Sequence, residues 1–484
     1  MAAKDFIVAI ELGSSKMTGI AGKKNLDGSI NVLAVVREDS SVFIKKGKIY
    51  NFDQTVLCFK NIVSNLEAQL KTSITQVYVG VGGQSIRSVR NVIARDLPPE
   101  TKVTQDMVIE LMDINRNWKY ADQEILDVAV QEYKVDTQAQ LDPVGIQCSR
   151  IEGNFLNILQ RKTFYKNLNQ CFEAAGVNVA EMFLAPLALA DSVLTEAEKR
   201  SGCALVDIGA DTTTVSVYSK NILRHLAVIP LGSANITEDI KSLQMEFQDA
   251  EKMKLKYGCA YTDNNDIDNT LRLSIDADRQ VDSRKFIEIV ESRVEEIIEN
   301  VWFQVPGEYC DKLLGGIILT GGGSNMKNIE RAFVNHTHID KIRTAKFVTH
   351  TITSGNSEVN TRNGMMNTVL GLLAKGDLNC AGSEIDPEDL FNGTKTTPTG
   401  TPDARPKAPR KAGEIPPGVV LTDAEKQKLE EEERRKREEE ERRAREEAEE
   451  EERRREAERK ANSPLNKIIN WSKTWGKKFM EEEN

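Results

Sequence analysis

Hydrophobic and polar positions divide the 484-residue chain into a globular part and a strongly polar C-terminal part. Up to about residue 379, short apolar runs of strand length alternate with amphipathic stretches at helical spacing, which predicts an α/β fold with buried cores. From Glu425 to Lys460, 31 of 36 residues are charged. Residues 380–421 between these parts are rich in Pro, Gly and Thr and offer little apolar surface to bury, so we expect a disordered linker there.

One strand-and-glycine pattern occurs twice in the globular part. An apolar run that begins at Phe6 is followed by Glu11, Gly13, two serines and a lysine, and "CALVDIGADTTTVSVY" repeats this design with Asp207 and Gly209. Because β-branched residues resume after each glycine, each copy is predicted to be a β-hairpin, and the two copies indicate an internal duplication. Turn amides and hydroxyls suit a phosphate, and the acid suits a hydrated cation beside it.

A third glycine cluster follows a short buried-type strand near the end of the globular part. Ile317 to Leu319 precede Gly321, Gly322 and Gly323, and a helix is expected from about Met326. Backbone without side chains allows a flat ligand such as a purine ring to approach closely. Each of the three motifs by itself is also typical of an ordinary turn or βα loop, so their order along the chain is the more specific signal.

That order resembles the superfamily of actin, heat-shock chaperones and sugar kinases. Within it, the chain is similar to the FtsA family of bacterial cell-division actin homologues over about residues 5 to 378, through "ILRHLAVIPLGSANITEDI", "DAEKMKLKYGCA", "QEYKVDTQAQLDPVGIQ" and "NTVLGLLAKG". The resemblance implies an actin-like two-lobed ATPase fold, with duplicated five-stranded sheets flanked by helices that close over ATP and Mg²⁺. A flexible linker, a charged helix and an amphipathic helix would follow.

The resemblance also implies a division of the chain into lobes and insertions. The first lobe comprises residues 1–83 and 160–200, the second part including the connecting helix, and is interrupted by a small α+β subdomain at 84–159. The second lobe comprises residues 201–235 and 307–379, interrupted by a mostly helical subdomain at 236–306. The linker then spans 380–421, a charged helical spacer 422–461 and an amphipathic helix 462–484.

Site residues are assigned by the same resemblance. The terminal phosphates would meet the two hairpin turns, at Gly13, Ser14, Ser15, Lys16, Gly209, Ala210, Asp211 and Thr212. Glu11 and Asp207 would face the hydrated Mg²⁺. Glu251 and Lys254, three residues apart on one helical face, would reach the ribose, although a surface ion pair is the alternative. Gly321, Gly322 and Gly323 would approach the adenine.

Three departures from the family pattern bear on the activity. Glu11 stands where the family usually has Asp, and Ala210 and Asp211 stand where the second turn is normally glycine-rich. Ala185 occupies the position at which actin-like relatives carry a Gln or Glu that orients the attacking water. Loss of such a group typically lowers a rate about a hundredfold or more. We therefore expect a nucleotide-binding switch with slow or negligible ATPase activity and assign no catalytic residue.

The polar C-terminal part is predicted to hold a spacer and a membrane-binding helix. Thr422 and Glu425 form a capping box that opens the charged run, which predicts a solitary helix, with a partly disordered tail as the alternative. At helical spacing, the last segment separates into an apolar and a basic half, as interfacial helices on anionic membranes do, whereas docking into a protein groove is the alternative. The apolar half is Leu465, Ile468, Ile469, Trp471, Trp475, Phe479 and Met480, and the basic half holds Lys467, Lys473, Lys477 and Lys478.

Composition excludes several function classes. A formal net charge of -10, with no basic aromatic-rich patch in the globular part, argues against nucleic-acid binding. Four histidines are too few for much metal chemistry, and seven scattered cysteines predict reduced thiols inside the cell. No N-terminal stretch has the form of a secretory signal.

The resemblance implies the partners and the location. These are the C-terminal peptide of FtsZ, anionic inner-membrane lipids, further copies of the chain in a filament and other divisome membrane proteins, at the cytoplasmic face of the bacterial inner membrane and the division septum. A pilus-assembly actin homologue is the nearest alternative. A sugar kinase is a further one, but that activity gives no reason for the membrane-type tail.

Overall fold

The computed structural model describes residues 5–268, 270–275 and 279–384. The predicted charged spacer and amphipathic helix lie outside the described residues, as does most of the predicted linker. The described structure continues into the first residues of that linker, because Cys380 is fully buried and the strand after it pairs with residues 72–74.

The described chain contains both strands and helices along its whole length. The strands are β1 (Ile7–Leu12), β2 (Lys16–Lys24), β3 (Ile30–Asp39), β4 (Ile44–Lys45), β5 (Lys48–Ile49), β6 (Thr72–Ile74), β7 (Val77–Val81), β8 (Arg87–Lys102), β9 (Gln123–Val135), β10 (Gln138–Gln140), β11 (Gln147–Arg161), β12 (Val179–Leu184), β13 (Cys203–Ile208), β14 (Thr213–Ser219), β15 (Ile222–Ile229), β16 (Arg272–Ser274), β17 (Gln280–Asp282), β18 (Gly316–Thr320), β19 (Ile342–Thr344), β20 (Ile352–Ser354) and β21 (Ala381–Glu384).

The helices connect these strands and cover the sheets. They are α1 (Phe52–Leu70), α2 (Gln105–Arg116), α3 (Lys162–Ala175), α4 (Ala185–Val193), α5 (Glu196–Ser201), α6 (Ser233–Lys241), α7 (Phe247–Tyr257), α8 (Ser283–Gln304), α9 (Gly307–Cys310), α10 (Ile329–Thr337), α11 (Ser357–Asn360) and α12 (Asn367–Lys375), with short 3₁₀ helices at Asn264–Asp266 and Gly322–Asn325.

Two sheets show the duplication. The first runs in the order β12, β7, β1, β2, β3, β20, and the second contains β19, β18, β13, β14, β15 in the corresponding order. In both, an antiparallel hairpin at the centre is followed by two strands added in parallel. The predicted α/β fold with duplicated five-stranded sheets is confirmed, with β20 as an added edge strand of the first sheet.

The second sheet is buried on both faces, which explains its continuous apolar strands. Along β13, Cys203 and Leu205 belong to the core that fills the first lobe, whereas Ala204 and Val206 pack in a separate core with α6, α8 and α10. The two lobes therefore share one hydrophobic cluster across their boundary.

Two helices cross at this boundary. A Cβ on Gly371 of α12 would lie 2.6 Å from the Ala188 carbonyl oxygen and 2.7 Å from Ser192 Oγ of α4. The crossing is therefore close enough to require a residue without a side chain. Because α4 leads from β12 towards the second lobe and α12 returns the chain to the first, their packing fixes the lobes beside each other.

The inserted subdomain is a four-stranded antiparallel sheet, in the order β10, β9, β11, β8, with α2 on one face. Thr104 caps α2, because its side chain accepts a hydrogen bond from the Met107 N–H. Leu111 and Phe155 belong to the small core beneath the helix. The insertion therefore has the α+β composition expected for residues 84–159.

The sheet of the inserted subdomain continues into the second sheet through β8 and β15, where Arg87 pairs with Ala227. The Leu226 N–H also donates to Ser88 Oγ (2.8 Å), and the Gln131 side chain donates to the Leu223 carbonyl (2.8 Å). The insertion thus leaves the chain from the first lobe but is hydrogen-bonded to the second.

Candidate functional site

The first predicted phosphate turn joins β1 to β2. Ser40 holds its backbone, since Ser40 Oγ donates to the Gly13 carbonyl (2.6 Å) and the Ser40 N–H donates to the Ser15 carbonyl (3.1 Å). A Cβ on Gly13 would lie 2.4 Å from the Lys16 carbonyl oxygen, so the turn is too tight for a side chain. Ser15 and Lys16 are exposed and available to a ligand.

The second predicted phosphate turn joins β13 to β14 in the same way. The Gly209 N–H donates to the Thr212 carbonyl (2.9 Å), which closes the turn. The Ser233 and Ala234 N–H groups at the start of α6 donate to the Gly209 and Ala210 carbonyls (2.9 and 2.8 Å). The start of α6 therefore fixes the second turn, whereas the Ser40 side chain and backbone fix the first turn.

Glu11 and Asp207 end the central strands of the two lobes and lie close enough for their charges to interact. Burial and the nearby Asp207 raise the pKa of Glu11 to about 8, and burial raises the pKa of Asp207 to about 6. The Thr368 hydroxyl and the Val369 N–H at the start of α12 lower the pKa of Glu11 again, as donors near a carboxylate do. Two partly desolvated carboxylates whose charges interact offer oxygen donors of the kind that a divalent cation prefers.

A cation lies beside one carboxylate of this pair. Glu11 pairs with Thr18, and Thr18 pairs with Arg37, so all three lie in one row across β1, β2 and β3. The Arg37 guanidinium partly offsets the rise in the pKa of Glu11. In the second lobe the corresponding row is Asp207, Thr214 and Val228.

A short hairpin, β4 and β5, connects the two turns. The Gly47 N–H donates to Ser14 Oγ and the Lys46 N–H donates to Asp211 Oδ2, both at 2.9 Å. The structure therefore brings the two predicted phosphate turns to one hairpin of the first lobe. Sequence reasoning missed this contact.

The glycine cluster after β18 packs on the second carboxylate. Gly321 has φ +83°, and a Cβ there would lie 2.3 Å from Asp207 Oδ1. A Cβ on Gly323 would lie 2.3 Å from the Ile208 side chain, whereas Gly322 has nothing nearer than Met365 at 3.7 Å. Two of the three glycines are explained by contact with β13, and Gly322 is the one whose surroundings leave room for a ligand.

Glu251 and Lys254 of α7 are joined to each other. Lys254 Nζ lies 2.7 Å from Glu251 Oε2 and donates to Thr237 Oγ1 (2.8 Å) and to the Ser233 carbonyl (3.0 Å). The Lys254 side chain is 7% exposed and that of Glu251 is 35% exposed, so a buried ammonium with a partly exposed partner ties α7 to α6. Its proposed contact with a ribose stays a prediction.

Ala185 is the first residue of α4 and follows β12 directly. The register of β12 with β7 places Leu184 beside Val81, and a Cβ on Gly82 would contact the Ala185 side chain at 4.0 Å. The helix between the lobes therefore begins with a methyl group at the position where the resemblance expects a water-orienting amide or acid.

Three features of this site have only weak sequence signals. Arg37 lies on β3, and only the strand register brings it to Glu11. Thr368 was part of the quoted "NTVLGLLAKG" but carried no predicted role. The "KKGK" of the hairpin at residues 45–48 is a basic turn, and such a turn is commonly a solvated surface feature.

A family model described as "Cell division protein FtsA" matches residues 204–371, and one described as "SHS2 domain inserted in FTSA" matches residues 83–159. The cell division protein FtsA of Neisseria meningitidis is 33% identical over 338 residues, covering 67% of this chain and 80% of that protein. The chain belongs to the FtsA family. FtsA of Porphyromonas gingivalis is 31% identical, over 66% of this chain and 68% of that relative.

A solved structure supports the fold of this FtsA family member. The chain is similar to a PilM–PilN type IV pilus biogenesis complex at a TM-score of 0.53 and 13% identity, over 79% of this chain and 99% of that one. At this identity the likeness concerns the actin-like fold alone. Among the described residues, no helix is both long and apolar enough to span a bilayer.

Proposed function

We propose that this FtsA family member binds ATP, polymerises on the cytoplasmic membrane and tethers FtsZ filaments to it. The observation that carries the proposal is the convergence of the two duplicated turns, the glycine cluster and two partly buried carboxylates at the lobe boundary. Turn amides with Ser14, Ser15, Lys16 and Thr212 suit the phosphates of a nucleotide, because they combine backbone donors, hydroxyls and a cation.

Glu11 and Asp207 would hold Mg²⁺, through water as the resemblance implies. Both are partly buried and have raised pKa values, and a divalent cation would relieve the repulsion between them. When bound, the ion would neutralise charge on the phosphates. The chain's own part is to hold Glu11 with Thr368 and Val369 and to keep Asp207 against Gly321.

Hydrolysis is proposed to be slow or negligible. The methyl group of Ala185 cannot accept or donate a hydrogen bond to an attacking water. The nucleotide would then act through binding, by favouring the lobe arrangement that assembles into a filament.

The C-terminal segment from Leu465 to Met480 is proposed as the membrane anchor. Each basic residue near an anionic surface contributes roughly 1 kcal/mol, so a single copy should bind reversibly and a filament should bind by avidity. Residues 236–306 are proposed to receive the FtsZ C-terminal peptide, and other divisome membrane proteins would join the assembly at the division septum. A role in pilus assembly is less favoured, because the family models and the relatives are those of cell-division proteins.

Co-sedimentation with liposomes tests this proposal. The full chain and a version ending at Lys460 would be compared on vesicles with anionic and with neutral headgroups, with and without ATP and Mg²⁺. We expect only the full chain to pellet on anionic vesicles, and ATP to increase the pelleted fraction by promoting assembly. Equal pelleting of both versions would refute the anchor, and an ATP-independent result would refute the nucleotide-driven assembly.

A matched variant separates charge from hydrophobicity. In the full chain, Lys473→Glu with Lys477→Glu keeps the apolar half of the segment and inverts two charges. Loss of binding to anionic vesicles in this variant supports the lipid contact. Unchanged binding would instead indicate aggregation through the aromatic side chains.

A further inference from the structure

The hairpin of Ile44–Ile49 has a backbone form that suits an anion. Lys46 and Gly47 at its turn have φ values of +50° and +70°, two successive left-handed residues. Their N–H groups reach Asp211 of the second phosphate turn and Ser14 of the first. Successive amides in such a turn commonly converge on an oxyanion.

The position of the hairpin is fixed by its surroundings. A Cβ on Gly47 would lie 2.4 Å from the Gly83 Cα, so the two glycines are in direct backbone contact. The Gln84 N–H also donates to the Lys46 carbonyl (3.2 Å). The amides of the turn are therefore held towards the two phosphate turns by packing as well as by hydrogen bonds.

The charge of the hairpin also favours the binding of an anion. It carries Lys45, Lys46 and Lys48 and no acid, and Lys16 follows the turn that it contacts. Partial burial, with repulsion from Arg161 and Lys46, lowers the pKa of Lys48. Cations crowded in this way are stabilised by an anion placed among them.

We propose that this hairpin is a third phosphate-binding element, and that the Asp211 carboxylate competes with the terminal phosphate of a nucleoside triphosphate for it. This inference rests on the proposed nucleotide binding and identifies a further element of the same site. The Asp211 carboxylate already accepts one of the two turn amides, as a phosphate oxygen would. A terminal phosphate must displace it, whereas a diphosphate need not.

Asp211 therefore acts on the preference between triphosphate and diphosphate. Its negative charge repels a terminal phosphate and keeps the hairpin bonded to the second lobe when a diphosphate is bound. The hairpin lysines act in the opposite direction, because they attract the additional charge of the triphosphate. Variants of the two groups should change the preference in opposite directions.

Titration of the full chain with fluorescent ADP and a fluorescent non-hydrolysable ATP analogue, in Mg²⁺, measures this preference. Asp211→Asn keeps the shape and removes the charge, so we expect the ratio of the ADP Kd to the analogue Kd to rise about five- to tenfold. The double variant Lys46→Ala, Lys48→Ala should lower the same ratio by a similar factor. Asp106→Asn, on the exposed face of α2, is the control for loss of one negative charge and should leave the ratio unchanged.

Amide hydrogen exchange gives a readout that does not depend on nucleotide. In Asp211→Gly, which removes the acceptor, exchange at the hairpin peptide should become faster than in the unaltered chain. An unchanged ratio in both charge variants, or equal weakening of both nucleotides, would overturn the proposal even if the protein binds ATP well. Failure of the unaltered chain to bind either nucleotide would instead refute the proposed function, and this inference with it.

Discussion

The two lobes carry the same hairpin with its carboxylate in two different environments. Glu11 lies in a strand row with Arg37 and has donors from the start of α12 near its carboxylate. Asp207 lies in a row with Val228 and packs against Gly321. Yet the pKa of Glu11 reaches about 8 and that of Asp207 about 6. The duplicated backbone therefore does not impose the same electrostatics, because burial and the neighbouring carboxylate outweigh a nearby cation at Glu11.

The largest expected effect comes from neutralising each carboxylate in turn. Folded Glu11 keeps its proton up to about pH 8, whereas an unfolded Glu loses it near 4.5, so the free energy of unfolding falls as pH rises between these values. Glu11→Gln lacks this fall and should be more stable than the unaltered protein by about 4 kcal/mol at pH 8. Asp207→Asn should raise the free energy of unfolding by about 2 to 3 kcal/mol. The pH range over which the unaltered protein loses this stability should end near pH 6.

Urea unfolding in EDTA from pH 3 to pH 9 measures both variants. Below pH 4 each variant should approach the unaltered protein, because both carboxyls are then protonated in the folded and unfolded states. Glu358→Gln, whose carboxylate is half exposed in its ion pair with Arg37, is the control and should change little. A larger gain in the free energy of unfolding for Asp207→Asn than for Glu11→Gln would show that Asp207, and not Glu11, has the more strongly raised pKa.

The packing of Gly321 against the Asp207 carboxylate can be disrupted by adding one methyl group. Gly321→Ala places a Cβ at φ +83° and 2.3 Å from Asp207 Oδ1, so it should lower the free energy of unfolding by about 3 kcal/mol. Gly322→Ala is the matched control, with its nearest neighbour at 3.7 Å, and should change it by less than about 1 kcal/mol. Denaturant midpoints decide between them, and equal midpoints would show that Gly321 is not held against β13.

The smallest expected effect concerns the Thr368 hydroxyl, which lowers the pKa of Glu11 and has no counterpart at Asp207. Thr368→Val removes a hydroxyl that stabilises the charged carboxylate, so the pKa of Glu11 should rise by about one unit. The pH at which the free energy of unfolding stops falling should move upwards by the same amount. Thr344→Val removes a hydroxyl bonded to the exposed Glu330 and serves as the control. A profile shifted equally by both variants would exclude a specific role for Thr368.

The elements of the fold and the duplication could be predicted from the sequence because they depend on local patterns. Apolar runs and β-branched residues after glycine act within a few residues, and the structure has the corresponding hairpins. Arg37 and Thr368 could not be placed in this way, because strand register and a return of the chain over hundreds of residues bring them to Glu11.

Charged residues on helices also cannot be assigned a role from local sequence patterns alone. Glu251 and Lys254 at helical spacing suit an exposed pair as well as a ligand contact, and the sequence does not distinguish these. Burial of Lys254 is decided by α6, which supplies Thr237 and the Ser233 carbonyl as acceptors. The position of Asp211 was likewise predictable, whereas its contact with Lys46 depends on how the two lobes meet.

The continuous sheet through β8 and β15 has a mechanical consequence. The inserted subdomain is connected through the chain to the first lobe and is paired through β8 with β15 of the second. A rotation of one lobe against the other must therefore either break the pairing of Arg87 with Ala227 or move the whole subdomain with the second lobe. If the subdomain moves with the second lobe, a small rotation at the boundary would displace its far edge, where β10 lies, by a larger distance.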